Sequence, residues 1–175
     1  MDEPRIFRGY RRSELDRQYN NRRRFPGHDE LFRAWREWSA AARARLRANI
    51  DLAYGAGPME RLDVFLADQA AAPIYVFFHG GYWQSLDKGD YSFVADGMIP
   101  NGVMTVVPNF ALAPAVGMYE IVRQSRAAIA WLRQHARELG GDPNRIYAGG
   151  HSAGGTPCGH AAGHGLAELR CCAAR

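Results

Sequence analysis

Lysine is almost missing from this 175-residue chain, where Lys88 stands alone against 21 arginines. Cysteine is nearly as scarce. Cys158, Cys171 and Cys172 all fall in the last 18 residues, an odd number that does not read as a disulfide framework. No apolar run comes near the ~18 residues that span a bilayer. The N-terminus, MDEPRIFRGYRR, has no apolar stretch of the secretory kind. Internal repeats and long low-complexity tracts are absent as well. These gaps argue against a membrane-spanning helix and a disulfide-stapled secreted scaffold, and they make the cytoplasm the expected location.

What is present reads as one soluble globular domain. Apolar residues make up 47% and charged residues 23%, ordinary values for that class. The net charge of +4 is unevenly placed. Residues 1–50 carry 13 Arg against 7 acids, a net of +6, and the remainder is net −2. Such a segment could meet nucleic acid or an anionic surface. Its arginines alternate with acids and apolar residues, so a solvated helix face is the reading adopted, with no nucleic-acid or membrane partner. The arginine bias, with abundant Ala and Gly, points to a GC-rich coding sequence.

Residues 11–20 (RRSELDRQYN) read as a short helix with Ser13 as N-cap. Arg22 to Pro26 reads as a basic break. A second helix is expected over 29–48, with Leu31, Trp35, Trp38, Ala42 and Leu46 on its buried face. Near residue 50 the period changes. Arg61–Ala67 alternates as a strand does, with Leu62, Val64 and Leu66 on one side. Ile74–Phe78 and Val103–Val107 are continuous β-former runs, the mark of strands buried on both faces. Gly117–Leu139 predicts a long amphipathic helix, with Met118, Ile121, Val122, Ser125, Ile129, Leu132, Ala136 and Leu139 facing inward and Gly140-Gly141 as its stop. A turn at Asp142-Pro143-Asn144 leads into a short strand, Arg145–Gly149. Strands alternating with a long helix imply an α/β fold, a mostly parallel sheet flanked by helices with an N-terminal helical extension. The expected divisions are 1–50, a helical segment; 51–155, the α/β part; and 156–175, an atypical tail.

Gly150-His151-Ser152-Ala153-Gly154 fits G-x-S-x-G. The spacing has a physical reason. A serine on a sharp strand-to-helix turn projects its hydroxyl beyond the sheet edge, and Gly150 and Gly154 let strand and helix approach without collision. The motif follows an expected strand, which separates it from a plain glycine-rich loop. His79-Gly80-Gly81-Tyr82-Trp83 follows the buried strand 74–78, 73 residues before Ser152, in the order expected for an oxyanion loop. Backbone N–H groups aimed at a tetrahedral oxyanion can contribute a few kcal/mol of transition-state stabilisation. Gly81, Tyr82 and Ala153 are the expected donors, with His79 and Gly80 supporting the loop and Ser152 as nucleophile.

With these motifs in hand, the chain resembles the kynurenine formamidase (arylformamidase) family of α/β-hydrolases. The stretches that carry the resemblance are HGGYW at 79–83, SLDKGDYSFVA at 85–95, PNFALAP at 108–114 and LGGDPNRIYAGGHSAGG at 139–155. LDRQYN at 15–20 and YGAGPMERLDVF at 54–65 also look similar. The resemblance implies hydrolysis of an N-formyl aryl amide, with N-formyl-L-kynurenine giving kynurenine and formate in tryptophan breakdown. It implies that Ser152 attacks the formyl carbon while a histidine, oriented by an aspartate, takes its proton. Tyr82 and Trp83 are candidates to line the aryl pocket, with ordinary packing beside the loop as the other reading. The expected partner is a small-molecule substrate. No cofactor or metal is implied, since Cys158-Gly159-His160 matches no common zinc spacing. Homo-oligomerisation is left open.

The chain departs from that pattern after the serine. The triad order is Ser, then Asp or Glu, then His. Beyond Ser152 there is no aspartate, one acid (Glu168) and two histidines, His160 and His164. All three are rejected as triad members, because they sit too close in sequence to fold back onto the hydroxyl. The family places its acid and base on later strands, so the expectation is a C-terminally truncated hydrolase, weak or inactive as it stands. The helix after the elbow should be apolar, yet 156–175 reads TPCGHAAGHGLAELRCCAAR. Read one nucleotide later, one permitted choice of codons gives RPAAMLLATDWPSFGAARH, an apolar, helix-forming continuation. The expectation is a slip near the Gly155 codon, which the nucleotide sequence there decides. Two other readings stand beside the formamidase: a carboxylesterase or lipase-like hydrolase with the same machinery, and a non-catalytic fragment acting as a binding module.

Overall fold

The computed structural model describes residues 3–162 and 170–171. The chain divides into two units, Met1–Trp35 and Arg36–Arg175. In the first, β1 (Arg5–Phe7) and β2 (Tyr10–Arg11) form an antiparallel hairpin. Its two-residue turn, Arg8 and Gly9, has φ of 46° and 81°, the pair of positive angles that matches strand twist in tight hairpins. Helix α1 (Arg12–Tyr19) follows. Its N-cap is Arg11 rather than the expected Ser13. Glu14 accepts from Arg11 N at 2.8 Å, and Ser13 Oγ instead donates to Glu3 Oε2 at 2.5 Å. The expected break contains a single helical turn, α2 (Asn21–Arg24), capped by the Asn20 side chain on Arg23 N at 3.0 Å.

Helix α3 (His28–Arg45) runs from the first unit into the second. Its buried positions are Ser39 and Ala42; Ala42 is inward as expected, while Leu31 and Trp38 are exposed, so the buried stripe is rotated toward Ser39. The rotation brings Arg43 onto the fully buried Asp63. Trp38 lies edge-on to Phe93 at 5.9 Å. Leaving α3, the chain forms β3 (Ala48–Ala53), β4 (Arg61–Phe65) and β5 (Ala72–Phe78). A 3₁₀ segment, Lys88–Val94, and a short helix α4 (Ala95–Met98) lead to β6 (Met104–Pro108). Helix α5 (Met118–His135) crosses to β7 (Gly141–Gly150). Helix α6 (Gly155–Ala162) and β8 (Arg170–Cys171) are the last elements among the described residues.

The main sheet has the order β3-β4-β6-β5-β7-β8. β5, β6, β7 and β8 run parallel, and β4 is antiparallel to both β3 and β6. All five residues of β6 are buried, as its uninterrupted apolar run predicts for an interior strand. Helix α5 buries Ile121, Ser125, Ala128, Ile129 and Leu132, each large aliphatic one worth about 1.5–3 kcal/mol of transfer free energy. Met118, expected inward, is exposed. The helix stops at His135 rather than Leu139, because the chain turns there: Gly141 N bonds Ala136 O at 2.7 Å and Gly140 takes φ +86°. β3 has no counterpart in the sequence reading. Cys158 is disulfide-bonded, although the three cysteines do not read as a disulfide framework from the sequence. Among the described residues, no helix is long and apolar enough to cross a membrane.

Candidate active site

Two adjacent parallel strands end together. Phe78, the last residue of β5, is paired with Gly150, the last of β7. The two glycine motifs therefore leave neighbouring strand ends on the same edge of the sheet. His151 N bonds Phe78 O at 3.1 Å, which ties the second motif to the root of the first.

Ser152 has φ +51°, a left-handed conformation that costs a non-glycine residue about 1–3 kcal/mol and persists only where the surroundings enforce it. The enforcement is visible. A β-carbon on Gly150 would lie 2.4 Å from Gly154 O, and one on Gly154 would lie 2.1 Å from Phe78 O. Strand, turn and helix meet at backbone-to-backbone distance, which only glycine allows. Ser152 is exposed while Ala153 and Gly154 are buried.

The loop from β5 is strained in the same sense. Gly81, Tyr82 and Trp83 have φ of +116°, +58° and +59°. A β-carbon on Gly81 would meet Ser85 O at 1.9 Å. Gly81 O accepts from Gln84 N and Ser85 N at 3.1 Å each and from Ser85 Oγ at 3.0 Å. A β-carbon on Gly80 would fall 2.8 Å from His151 Nδ1 and 2.9 Å from His151 O. The structure thus brings Phe78, His79 and Gly80 beside Gly150, His151 and Gly154.

His79 is fully buried and stacked on Phe110, with ring centroids 4.3 Å apart and planes within 4°. Burial holds its pKa below the usual histidine range, opposed by the Gly80 carbonyl and by Asp87. Tyr82 is exposed, and its ring lies 5.6 Å from that of Trp83. Trp83 packs against the core, and among the described residues its buried Nε1 has no acceptor.

Three further residues join this cluster that the sequence reading did not single out. Tyr91 is buried against His79, its hydroxyl accepting from Gly80 N–H and lying 3.3 Å from His151 Nδ1. Burial pushes its pKa up to about 12. Asn109 lies 3.2 Å from His79 Nε2 and donates to Asp87 at 2.6 Å. Their only sequence signal was position within the stretches 85–95 and 108–114. Beneath them, Asp63 accepts from Arg43 and from Lys88, the latter at 2.8 Å, and Lys88 also reaches Asp51 at 2.7 Å.

His160 is exposed on α6, its carbonyl accepting from Arg126 at 3.3 Å. His164 and Glu168 lie outside the described residues. Among the described residues, no group of three or more His, Cys, Asp or Glu side chains is placed to hold a metal ion.

The profile of the BD-FAE family matches residues 62–166, which include both glycine motifs. The chain is 31% identical to kynurenine formamidase of Danio rerio over 151 residues, covering 82% of this chain and 50% of that protein. It is 38% identical over 85 residues to carboxylesterase NlhH of Mycobacterium tuberculosis, covering 47% of this chain and 26% of that one. A crystal structure of a Silicibacter sp. TM1040 protein, provisionally named a thioesterase, superposes with a TM-score of 0.78 at 30% identity, covering 90% of this chain and 61% of that one. The chain spans about half or less of the length of these curated relatives.

Proposed function

Since the chain belongs to the BD-FAE family of α/β-hydrolases, we propose that it is the nucleophile-bearing part of an arylformamidase-type serine hydrolase acting on N-formyl aryl amides such as N-formyl-L-kynurenine. The observation that carries this reading is Ser152 at φ +51° on the β7–α6 turn, one strand away from a loop whose backbone is bent at three successive residues. The similarity to the Danio rerio formamidase supports the substrate class.

In this reading Ser152 Oγ attacks the formyl carbon and gives its proton to a base. The carbonyl oxygen becomes an oxyanion facing the N–H groups of Gly81, Tyr82 and Ala153. Collapse breaks the C–N bond, the aryl amine leaves with a proton, and water then hydrolyses the Ser152 formyl ester to formate. The base comes from a residue other than exposed His160, and the family pattern puts it on a later strand. Tyr82 and Trp83 contact the aryl group.

The test is hydrolysis of N-formyl-L-kynurenine and of p-nitrophenyl esters by the chain and by its Ser152→Ala variant. Weak formamide turnover that the variant lacks is the expected result, far below that of a hydrolase with its base in place. Turnover indifferent to Ser152 would sink the assignment. Ester turnover without formamide turnover favours the second reading, a carboxylesterase, which the similarity to NlhH supports.

A further inference from the structure

The loop carrying the proposed oxyanion donors contains two peptide units that matter, and they are held in different ways. Gly81–Tyr82 presents Tyr82 N–H. Its carbonyl, Gly81 O, is bound from within the loop by Gln84 N, Ser85 N and Ser85 Oγ. Gly80–Gly81 presents Gly81 N–H, and its carbonyl is held by the His79 ring. His79 Nδ1 lies 2.8 Å from Gly80 O. The C=O and N–H of one trans peptide point in opposite directions, so fixing Gly80 O fixes where Gly81 N–H points.

The His79 ring is itself set by a line of side chains. Its Nε2 faces Asn109 Oδ1 at 3.2 Å. The Asp87 carboxylate, which only accepts, takes the Asn109 NH₂ at 2.6 Å and so turns the amide oxygen toward the imidazole. The Asn109 backbone is pinned too. Its N–H donates to Arg61 O at 2.8 Å and its carbonyl accepts from Tyr54 Oη at 2.5 Å. Phe110 covers the ring face. Both ring nitrogens face acceptor oxygens, Gly80 O and Asn109 Oδ1, so a neutral ring donates to one of them and only the imidazolium donates to both. Asn109 on the ring edge and Phe110 on its face set the ring's orientation, and Asn109 is itself oriented by Asp87.

We propose that Asp87 is a positioning residue which, through Asn109 and His79, aims the Gly81 N–H of the oxyanion site. The proposal rests on the hydrolase reading above. It assigns Asp87 no contact with substrate and no proton transfer. It separates the two donors: Gly81 N–H depends on the relay, and Tyr82 N–H depends on Ser85.

The experiment uses the full chain with Asp87→Ser, Asn109→Ala and the two combined. Serine keeps an oxygen for the Gly89 N–H that Asp87 caps at 2.8 Å but is too short to reach Asn109. Two readouts are taken: the ¹⁵N signals of the His79 ring and the Gly81 and Tyr82 amides, and kcat and KM on a p-nitrophenyl ester. Both single variants are expected to move the His79 ring and Gly81 signals and leave Tyr82 in place, whereas Ser85→Ala moves Tyr82. The expected kcat loss is about tenfold with KM nearly constant, a fraction of the ~10²–10³ lost when an oxyanion donor is removed outright. The double variant should be no slower than the worse single one, since both break one relay. Unmoved His79 and Gly81 signals, or kcat losses that multiply, overturn the proposal. An unsubstituted chain with no Ser152-dependent turnover counts against the hydrolase reading instead, and the amide and ring signals then decide the relay alone.

Discussion

The β-carbon that Gly154 lacks would lie 2.1 Å from the carbonyl oxygen of Phe78. Phe78 closes the strand that leads to the His79 loop, and Gly154 opens the turn into α6, so this contact is where the two motifs touch. The obstacle is backbone, which no rotamer change can clear. Gly154→Ala is expected to cost about 3 kcal/mol or more through overpacking, and to abolish Ser152-dependent turnover at any temperature where the variant still folds. Gly155 is one residue further on, and a β-carbon there meets nothing within 4 Å. Gly155→Ala is expected to be neutral or stabilising by about 0.4–1 kcal/mol. Urea unfolding of the pair measures this, and equal effects at the two positions would contradict the geometry.

Tyr91→Phe removes one hydroxyl that joins the loop to the elbow. Gly80 is buried, so its N–H loses an acceptor in the Tyr91 hydroxyl. An orphaned buried donor costs about 1–3 kcal/mol. The link to His151, the neighbour of Ser152, goes as well. The expected outcome is a stability loss in that range, with kcat reduced more than KM is raised. A variant matching the parent in both unfolding and turnover would show that the hydroxyl ties nothing together.

The elements legible in the sequence are those whose local pattern agrees with their burial. β5 and β6 read as apolar runs because they lie inside the sheet, and α5 reads by its period because one face is buried. The elbow was legible because its glycines answer a local steric demand. β3 was not, since it lies at the sheet edge with most of its residues exposed and a bulge at Asp51, φ +59°. Trp38 misled because helical spacing does not say which stripe faces inward, and Arg43 took that side to reach Asp63. Asp87, Tyr91 and Asn109 were invisible as site residues for one physical reason. Their roles arise from contacts between residues 22 to 60 apart in the chain, which no local pattern encodes.

Asp63 has no exposed surface and answers two cations, Arg43 and Lys88, besides accepting from Asp51 N at 2.9 Å. Removing the anion leaves Lys88, itself buried, facing Arg43 with only the exposed Asp51 to offset it. Asp63→Ala is expected to cost about 3–5 kcal/mol, as breaking a buried pair from one side does. Asp96→Ala breaks the more exposed pair with Arg45 and should cost about 1 kcal/mol or less. Chemical denaturation of both variants checks the contrast. A small loss at Asp63 would mean that water replaces it in the cluster.

Glu60 gives the acid limb of stability its sign. Its carboxylate accepts from Gly57 N at 2.7 Å and from Arg123 at 2.7 Å. The Gly57 hydrogen bond, followed by the Arg123 guanidinium, holds its pKa below the ordinary glutamate value. The folded chain therefore gives up this proton at a lower pH than the unfolded chain. The resulting stability is fully present above the unfolded value of about 4.3 and is lost as pH falls through the folded value. Glu60→Gln cannot titrate, so Tm measured from about pH 6 to about pH 3 should show a gap between parent and variant that narrows toward acid. Glu120 shares Arg123 and is also lowered, to about 2, but it is more exposed than Glu60, and Glu120→Gln should open a smaller gap. A Glu60→Gln gap that stays constant with pH would mean that the loss is one of packing against Gly55 and Gly57 rather than of charge.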